Sequence, residues 1–285
     1  MTQKAQKDPE NGVANIPCPL CGAPASFYAK HPEAELYRCP SCTHCFTRLD
    51  TTQIEEYRDN YFYEDHRRWF QNPNFELFEW IAAAIPPGAS VLDAGCGRGD
   101  FLRHLRKIRP DLSLTGIDLS VNKNADGIRY YQADLLTMPI RQTFNVVVSL
   151  AVIEHVTNVR AFVDRLRRLT SPGGAVVVMT LNDDSLLYRL ARMGRAAGVP
   201  LAFNRVYSRH HLHHFTRRSL RGVLENNGLE IESDMVHNAP MAAIDIPVKN
   251  FAVETGLLAC LAVVSVIGGL TGTSILQTVI CRVKR

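Results

Sequence analysis

Four of the eight cysteines fall into two C-x-x-C pairs, Cys18-Pro19-Leu20-Cys21 and Cys39-Pro40-Ser41-Cys42, with seventeen residues between the pairs. Each short turn lets two sulfurs converge on one ion, so Cys18, Cys21, Cys39 and Cys42 read as a four-thiolate zinc site. Four protein ligands leave no open coordination position, which makes the expected zinc structural. His44 and Cys45 are spare candidates, and Tyr37 and Phe46 are apolar enough to pack beside the site. A second chemical signature is Val91-Leu92-Asp93-Ala94-Gly95-Cys96-Gly97-Arg98-Gly99, an apolar run entering a glycine turn, with a helix expected from Asp100. Glycines let the backbone turn sharply and approach a ligand, while a helix start offers unpaired N–H groups to an anion. The spacing is G-x-G-x-G, not the dinucleotide G-x-G-x-x-G, which argues against a nicotinamide cofactor.

Two further acids follow at the ends of apolar runs: Asp118, closing Leu114-Thr115-Gly116-Ile117-Asp118, and Asp134 in Ala133-Asp134-Leu135. One such Asp alone more often caps a helix or turns a loop. In order, however, Asp93, the glycines, Asp118 and Asp134 fit one bound cofactor.

With these motifs the chain resembles the class I S-adenosylmethionine-dependent methyltransferases, over roughly residues 74 to 236. The resemblance implies that Asp93, Gly95, Cys96, Gly97 and Gly99 form the cofactor loop. It also implies that Asp118, with Leu119, accepts hydrogen bonds from the ribose hydroxyls, and that Asp134, with Leu135, faces the adenine. Phe144 to Ser149 with Glu154-His155-Val156 resembles the fourth strand and its loop, and Ser171-Pro172-Gly173-Gly174 the turn before the fifth. His211-Leu212-His213-His214-Phe215-Thr216 resembles the late segment of small-molecule members. Asn145 departs from the family's usual Asp at a strand start, and the short interval from Asp118 to Asp134 leaves room for only about a turn of helix. Tyr61-Phe62-Tyr63 resembles a segment that covers the cofactor in related enzymes, although a connector contact explains it as well.

A sulfonium methyl is already activated, so the enzyme has to align the acceptor, exclude water and, for oxygen or carbon acceptors, remove a proton. His155 and His211 are the catalytic candidates, since histidine titrates near neutral pH. The run from His210 to His214 could also hold metal, but packing ahead of a helix capped by Thr216 explains it more simply.

These residues need a scaffold. Short apolar runs at Ser90–Asp93, Leu112–Asp118, Ile128–Gln132, Asn145–Leu150 and Ala175–Leu181 read as strands, separated by helical periodicity. Phe101, Leu102, Leu105 and Ile108 share one helical face, as do Val159, Phe162, Val163, Leu166 and Leu169. The alternation predicts a doubly wound, Rossmann-like α/β sheet with a small N-terminal zinc ribbon. The expected organisation is a frayed tail at 1–16, the ribbon at 17–48, and a connector with a helix (residues 74–85) at 49–88. The methyltransferase domain follows at 89–285, with a lid-like region at about 182–215. Near the C-terminus a helix over Thr216–Asn226 precedes a strand from Leu229 to Val236. No charge occurs from Thr255 to Cys281, yet Gly268, Gly269, Thr271, Gly272, Thr273 and Ser274 break the run. The expectation there is an apolar helix of about a dozen residues packed on the sheet, then a final edge strand over Ile275–Val283. A simple membrane span is too short on that reading, while peripheral membrane contact or a lipid-carried acceptor stays open.

At 285 residues, 46% hydrophobic and 21% charged, the chain can bury one full core plus an accessory module. The first sixteen residues lack the apolar stretch of a secretory signal, so a cytoplasmic protein is expected and metal is favoured over disulfides. Cys260 and Cys281 are expected to pack, and Cys96 to be a small residue near the ligand. The net charge of +4 is mild; solvated helix faces explain most of it, and the Arg-rich part after residue 188 also suits an anionic substrate or surface. The favoured function is methylation of a small molecule: a sugar, a metabolite or a lipid-linked precursor. An RNA methyltransferase gripping nucleic acid with its ribbon is the alternative. Against it, residues 1–48 are not strongly basic, and Leu150-Ala151-Val152-Ile153 replaces the N/D-P-P-aromatic motif of many base methyltransferases. A non-enzymatic binding protein would need a damaged cofactor loop, and this loop is intact.

Overall fold

Cys18, Cys21, Cys39 and Cys42 sit on the turns of an antiparallel ribbon in a computed structural model that describes residues 6–7, 14–48, 67–120, 124, 127–208, 211–246 and 250–285. The ribbon strands are β1 (Gln6–Lys7), β2 (Ala14–Pro17), β3 (Pro24–His31), β4 (Ala34–Arg38) and β5 (Cys45–Thr47). The expected tail at 1–16 is therefore partly ordered: Ile16 pairs with Ala25, and Gln6 with Asn15, because the open edge of β3 offers backbone partners to the polar segment. Two helices follow, α1 (Arg67–Gln71) and α2 (Phe75–Ala83), the latter capped by Asn74 accepting from Leu77 N–H. Residues 49–66, and with them Tyr61-Phe62-Tyr63, lie outside the described residues, as do 121–123 and 125–126 of the Asp118–Asp134 interval.

The main domain alternates β6 (Ser90–Ala94), α3 (Asp100–Ile108), β7 (Ser113–Asp118), β8 (Ile128–Gln132), β9 (Phe144–Leu150), α4 (Val159–Leu169) and β10 (Thr170–Leu181). Then come α5 (Leu186–Ala196), α6 (Leu201–Val206), β11 (His213–His214), α7 (Arg217–Asn226) and β12 (Leu229–His237). A 3-10 turn at Met241–Ala243, α8 (Phe251–Thr271) and β13 (Leu276–Val283) complete the chain. Five parallel strands run β10-β9-β6-β7-β8; β13 pairs antiparallel with β10, and β12 pairs antiparallel with β13, so β12 again runs in the direction of the five. Apolar residues cover both sheet faces: α4 buries Val159, Phe162, Val163, Leu166 and Leu169 on one, and α3 buries Phe101, Leu102 and Leu105 on the other. Strand order reverses between β6 and β9, which opens a crevice at their C-terminal ends. Asn145 ties the other end together, its Oδ1 accepting from the Ser90 N–H at 2.8 Å.

The C-terminal expectations need two corrections. First, β13 is an interior strand between β10 and β12, and β12 forms the edge. Second, α8 has twenty-one residues, not about a dozen, and is not packed into the sheet: Gly268 is its one buried residue. Gly268 and Gly269 are absorbed into the helix, which ends at Gly272 with φ +66°. Cys260, expected to pack, is exposed on α8, whereas Cys281 is buried in β13.

The ribbon is fused to the domain. Its strand β5 pairs with β11, with Phe46 opposite His213 and Cys45 opposite His214. Arg38 of β4 reaches the fully buried Asp183 at 2.7 Å, Arg160 donates to the carbonyl of Leu20 at 2.8 Å, and Thr43 meets the helix cap Thr216 at 2.6 Å. Asp183 also binds Arg192 at 3.2 Å and the hydroxyl of Tyr207.

Candidate active site

The turn after β6 passes through Gly95 (φ +79°), Gly97 (φ +49°) and Gly99 (φ +78°) before α3 begins. A side chain at Gly95 would run into Val152, and L residues resist that backbone conformation, so the loop can lie against the β9 loop only as glycine. Gly95 and Cys96 both donate to the Ile117 carbonyl, which brings the turn against the end of β7. There Asp118 accepts from Gly97 N–H at 2.7 Å and from Ser120 N–H and hydroxyl at 2.8 and 2.6 Å.

These elements wall a cavity of about 680 Å³. Of the loop residues expected there, Asp93, Gly95, Cys96 and Gly97 line it; so do Asp118, Leu119, Asp134 and Leu135. Gly99 does not: it caps α3, and its bare Cα leaves room for the Tyr130 ring. Asp134 contributes in part as a turn residue, its Oδ1 accepting from Leu136 N–H at 2.8 Å. Asp93 is buried, its Oδ1 meets no hydrogen-bond partner among the described residues, and desolvation, then the charge of Asp118, pushes its carboxyl up to about 8. A buried, orphaned carboxyl oxygen is costly, and a polar or cationic group of a ligand in the cavity would supply the missing partner. Cys96 fills space beside the loop, and burial raises its thiol far above the usual range, so it is not a nucleophile.

The facing wall carries His155 and His211, whose rings lie 5.0 Å apart. They meet because the Glu154 carbonyl accepts from Leu212 N–H at 2.8 Å and His213 N–H at 3.1 Å, binding the late histidine segment to the β9 loop. Sequence reasoning gave Glu154 no role. It is buried, accepts from the Thr180 hydroxyl at 2.8 Å, and burial pushes its carboxyl up to about 7. The signal was a lone acid inside the apolar run Val152-Ile153-Glu154-His155-Val156. Ligand atoms of Glu154, His155 and His211 lie within 4.8 Å of one another, so this wall could also hold a divalent ion. Trp69 and Phe70 of α1, in the expected connector, close the cavity on another side. Of the histidine run, His210 lies outside the described residues, while His213 and His214 pack as expected: both are buried, His213 bonds His44 at 3.0 Å, and burial pulls them down to about 4 and about 3.

The four ribbon thiols converge. Cys18–Cys42, Cys21–Cys39 and Cys21–Cys42 sulfurs lie 3.6, 3.5 and 3.5 Å apart, close to the ~3.8 Å tetrahedral edge implied by Zn–S bonds of about 2.3 Å. The donor set fits zinc. His44 and Cys45 stand outside it: His44 bonds His213, and Cys45 is buried in β5.

A family model described as a methyltransferase domain matches residues 61–234. Over 123 residues the chain is 32% identical to an uncharacterised methyltransferase of Mycobacterium bovis, covering 40% of this chain and 62% of that protein. Over 115 residues it is 36% identical to the ubiquinone biosynthesis O-methyltransferase of Rhodopseudomonas palustris, covering 38% and 45%. The chain thus spans less than two thirds of the length of these relatives. Among solved structures, phosphoethanolamine N-methyltransferase 2 of Haemonchus contortus in complex with S-adenosylmethionine shares the fold, with a TM-score of 0.55, 14% identity, and coverage of 80% of this chain and 59% of that one.

Proposed function

The chain belongs to the methyltransferase domain family, and from that premise we propose that it is an S-adenosylmethionine-dependent enzyme that methylates a hydroxyl of a small-molecule acceptor. The observation that carries this reading is one cavity with the acids and glycines on one wall and Glu154, His155 and His211 on the other. The similarity to an O-methyltransferase supports an oxygen acceptor.

S-adenosylmethionine, when bound, supplies a methyl group activated by its sulfonium. Asp93 would partner its ammonium, Asp118 its ribose hydroxyls, and Asp134 with Leu135 its adenine. His155 or His211 takes the proton from the acceptor hydroxyl as its oxygen becomes nucleophilic. Glu154 fixes the histidine segment through its main chain, and its buried carboxyl can share the imidazolium's charge. Trp69 and Phe70 keep water from the reacting atoms.

Calorimetric titration with S-adenosylmethionine and its demethylated product tests the cofactor wall. Asp118→Ala removes charge-assisted hydrogen bonds of about 1.5–3 kcal/mol, so both ligands should bind roughly 10- to 150-fold more weakly. Unchanged affinity in a folded variant would remove Asp118 from the site. Transfer of labelled methyl to hydroxylated but not O-capped acceptors would bear out the acceptor class; transfer to amines alone would refute it.

A further inference from the structure

Helix α8 carries one charged residue, Glu254, and is otherwise almost wholly apolar. Its most apolar eighteen-residue window has a mean hydropathy of 2.1, and 6% of that window is buried. At about 1.5 Å per residue it is long enough to cross a bilayer. The topology forbids this. The helix is the connection between β12 and β13, which are adjacent antiparallel strands with His237 opposite Leu276. One crossing would put these paired strands on opposite sides of the bilayer. The helix is also tied down at both ends and between them: Glu254 pairs with Arg68 at 2.6 Å, Ser265 O accepts from Asn238 at 2.8 Å, and just past the C-terminal cap Thr273 O accepts from Leu186 N–H at 2.9 Å.

A surface helix held this way should present polar residues outward. Here the outward positions are Val263, Val266, Ile267 and Leu270, the last 84% exposed. Helix α5 packs beside α8, and the α5–α6 pair adds exposed Met193, Val199 and Leu201. Exposed apolar side chains grouped on neighbouring helices in this way mark an interaction site. The α5–α6 side of it is basic, with no acid from Ser185 to Leu224, and the one acid of α8, Glu254, is paired with Arg68. Exposed Arg189 and Arg205 lie four residues from Met193 and Leu201, on the same helical faces.

We propose that α8 and the α5–α6 pair form a monotopic docking face for a phospholipid bilayer bearing anionic headgroups, with α8 lying in the membrane plane. Apolar side chains enter the acyl boundary while Arg189 and Arg205 meet phosphates, the arrangement of interfacial helices. Arg68 joins α8 to α1, whose Trp69 and Phe70 line the cavity, so docking sets the cavity beside the membrane surface.

The test is co-sedimentation of the full chain with vesicles of 70:30 phosphatidylcholine and phosphatidylglycerol, and of phosphatidylcholine alone. The wild type should bind the anionic vesicles more strongly, with the difference reduced in high salt. The exposed double substitution Val266→Glu/Leu270→Glu should weaken binding at least tenfold with an unchanged melting temperature. Arg189→Gln/Arg205→Gln should remove the preference for anionic vesicles while keeping residual binding. Failure of the wild type to sediment with either vesicle, or equal binding by the α8 variant, overturns the proposal. So does a lipid-free dimer in sedimentation velocity that the α8 substitutions dissociate, since a second copy then covers the face. None of these readouts depends on methyl transfer.

Discussion

Replacing Arg38 with Met should cost about 3 kcal/mol of stability, because it strips a guanidinium from a carboxylate that has no exposure to water. At 2.7 Å and an effective dielectric constant of about 20, the gross attraction is about 6 kcal/mol, offset by the desolvation of both ions. Arg192 at 3.2 Å and the Tyr207 hydroxyl remain to share the charge of Asp183, which keeps the loss at the lower end of the range for a broken buried pair. Asp183→Asn should cost less, about 2 kcal/mol, since the two arginines are about a quarter exposed and can hydrate. The double variant should then lose about 1.5 kcal/mol less than the sum of the singles. Urea unfolding of the four proteins at neutral pH measures this cycle, read from midpoints at constant slope. Additivity to within about 0.5 kcal/mol would refute the idea that this ion pair couples the ribbon to the segment after β10.

Other expectations follow from the same geometry. Stripping zinc with a chelator, or Cys39→Ser, should lower the melting temperature and open residues 14–48 to proteolysis, because the thiols organise the ribbon turns; metal loss without either change would show the ribbon folding unaided. Burial of neutral His213 should make a destabilising contribution as pH falls from about 6.5 to 4. His213 is held to about 4 by burial, so the unfolded chain takes up its proton first, and at pH 5 this costs about 2 kcal/mol relative to pH 7.5. Asp93 and Glu154, raised by burial to about 8 and about 7, act with the opposite sign, so the histidine is read from the difference between wild type and His213→Asn; a difference in urea midpoint that stays constant from pH 7.5 to pH 5 contradicts the buried neutral histidine. Gly95→Ala should abolish S-adenosylmethionine binding in calorimetry while the ribbon still binds one zinc, and normal affinity would show that the loop tolerates a Cβ against Val152.

The elements read most directly from the sequence were those whose information is local. The strands from Ser90 to Leu181 are apolar runs between turn residues, and the faces of α3 and α4 follow a helical period. The thiolate site and glycine loop were legible because ligand spacing and φ requirements lie within a few residues. The exposure of α8 was not, since Gly268, Gly269 and Thr271 read as breakers, and hydropathy alone cannot say what lies outside a helix. The β5–β11 pairing is two residues deep and joins positions about 170 apart, so no periodicity announces it. That pairing changes the meaning of the ribbon. Thr47 N–H donates to the Leu212 carbonyl at 2.9 Å, the Thr47 hydroxyl to the His211 carbonyl at 3.3 Å, and Leu212 N–H to Glu154 at 2.8 Å. Strand β5 therefore sits one hydrogen bond behind the His211 wall of the cavity. Zinc held by the four thiols would, by ordering the ribbon, help to hold that wall from a distance, a positioning role for a metal that lies outside the cavity.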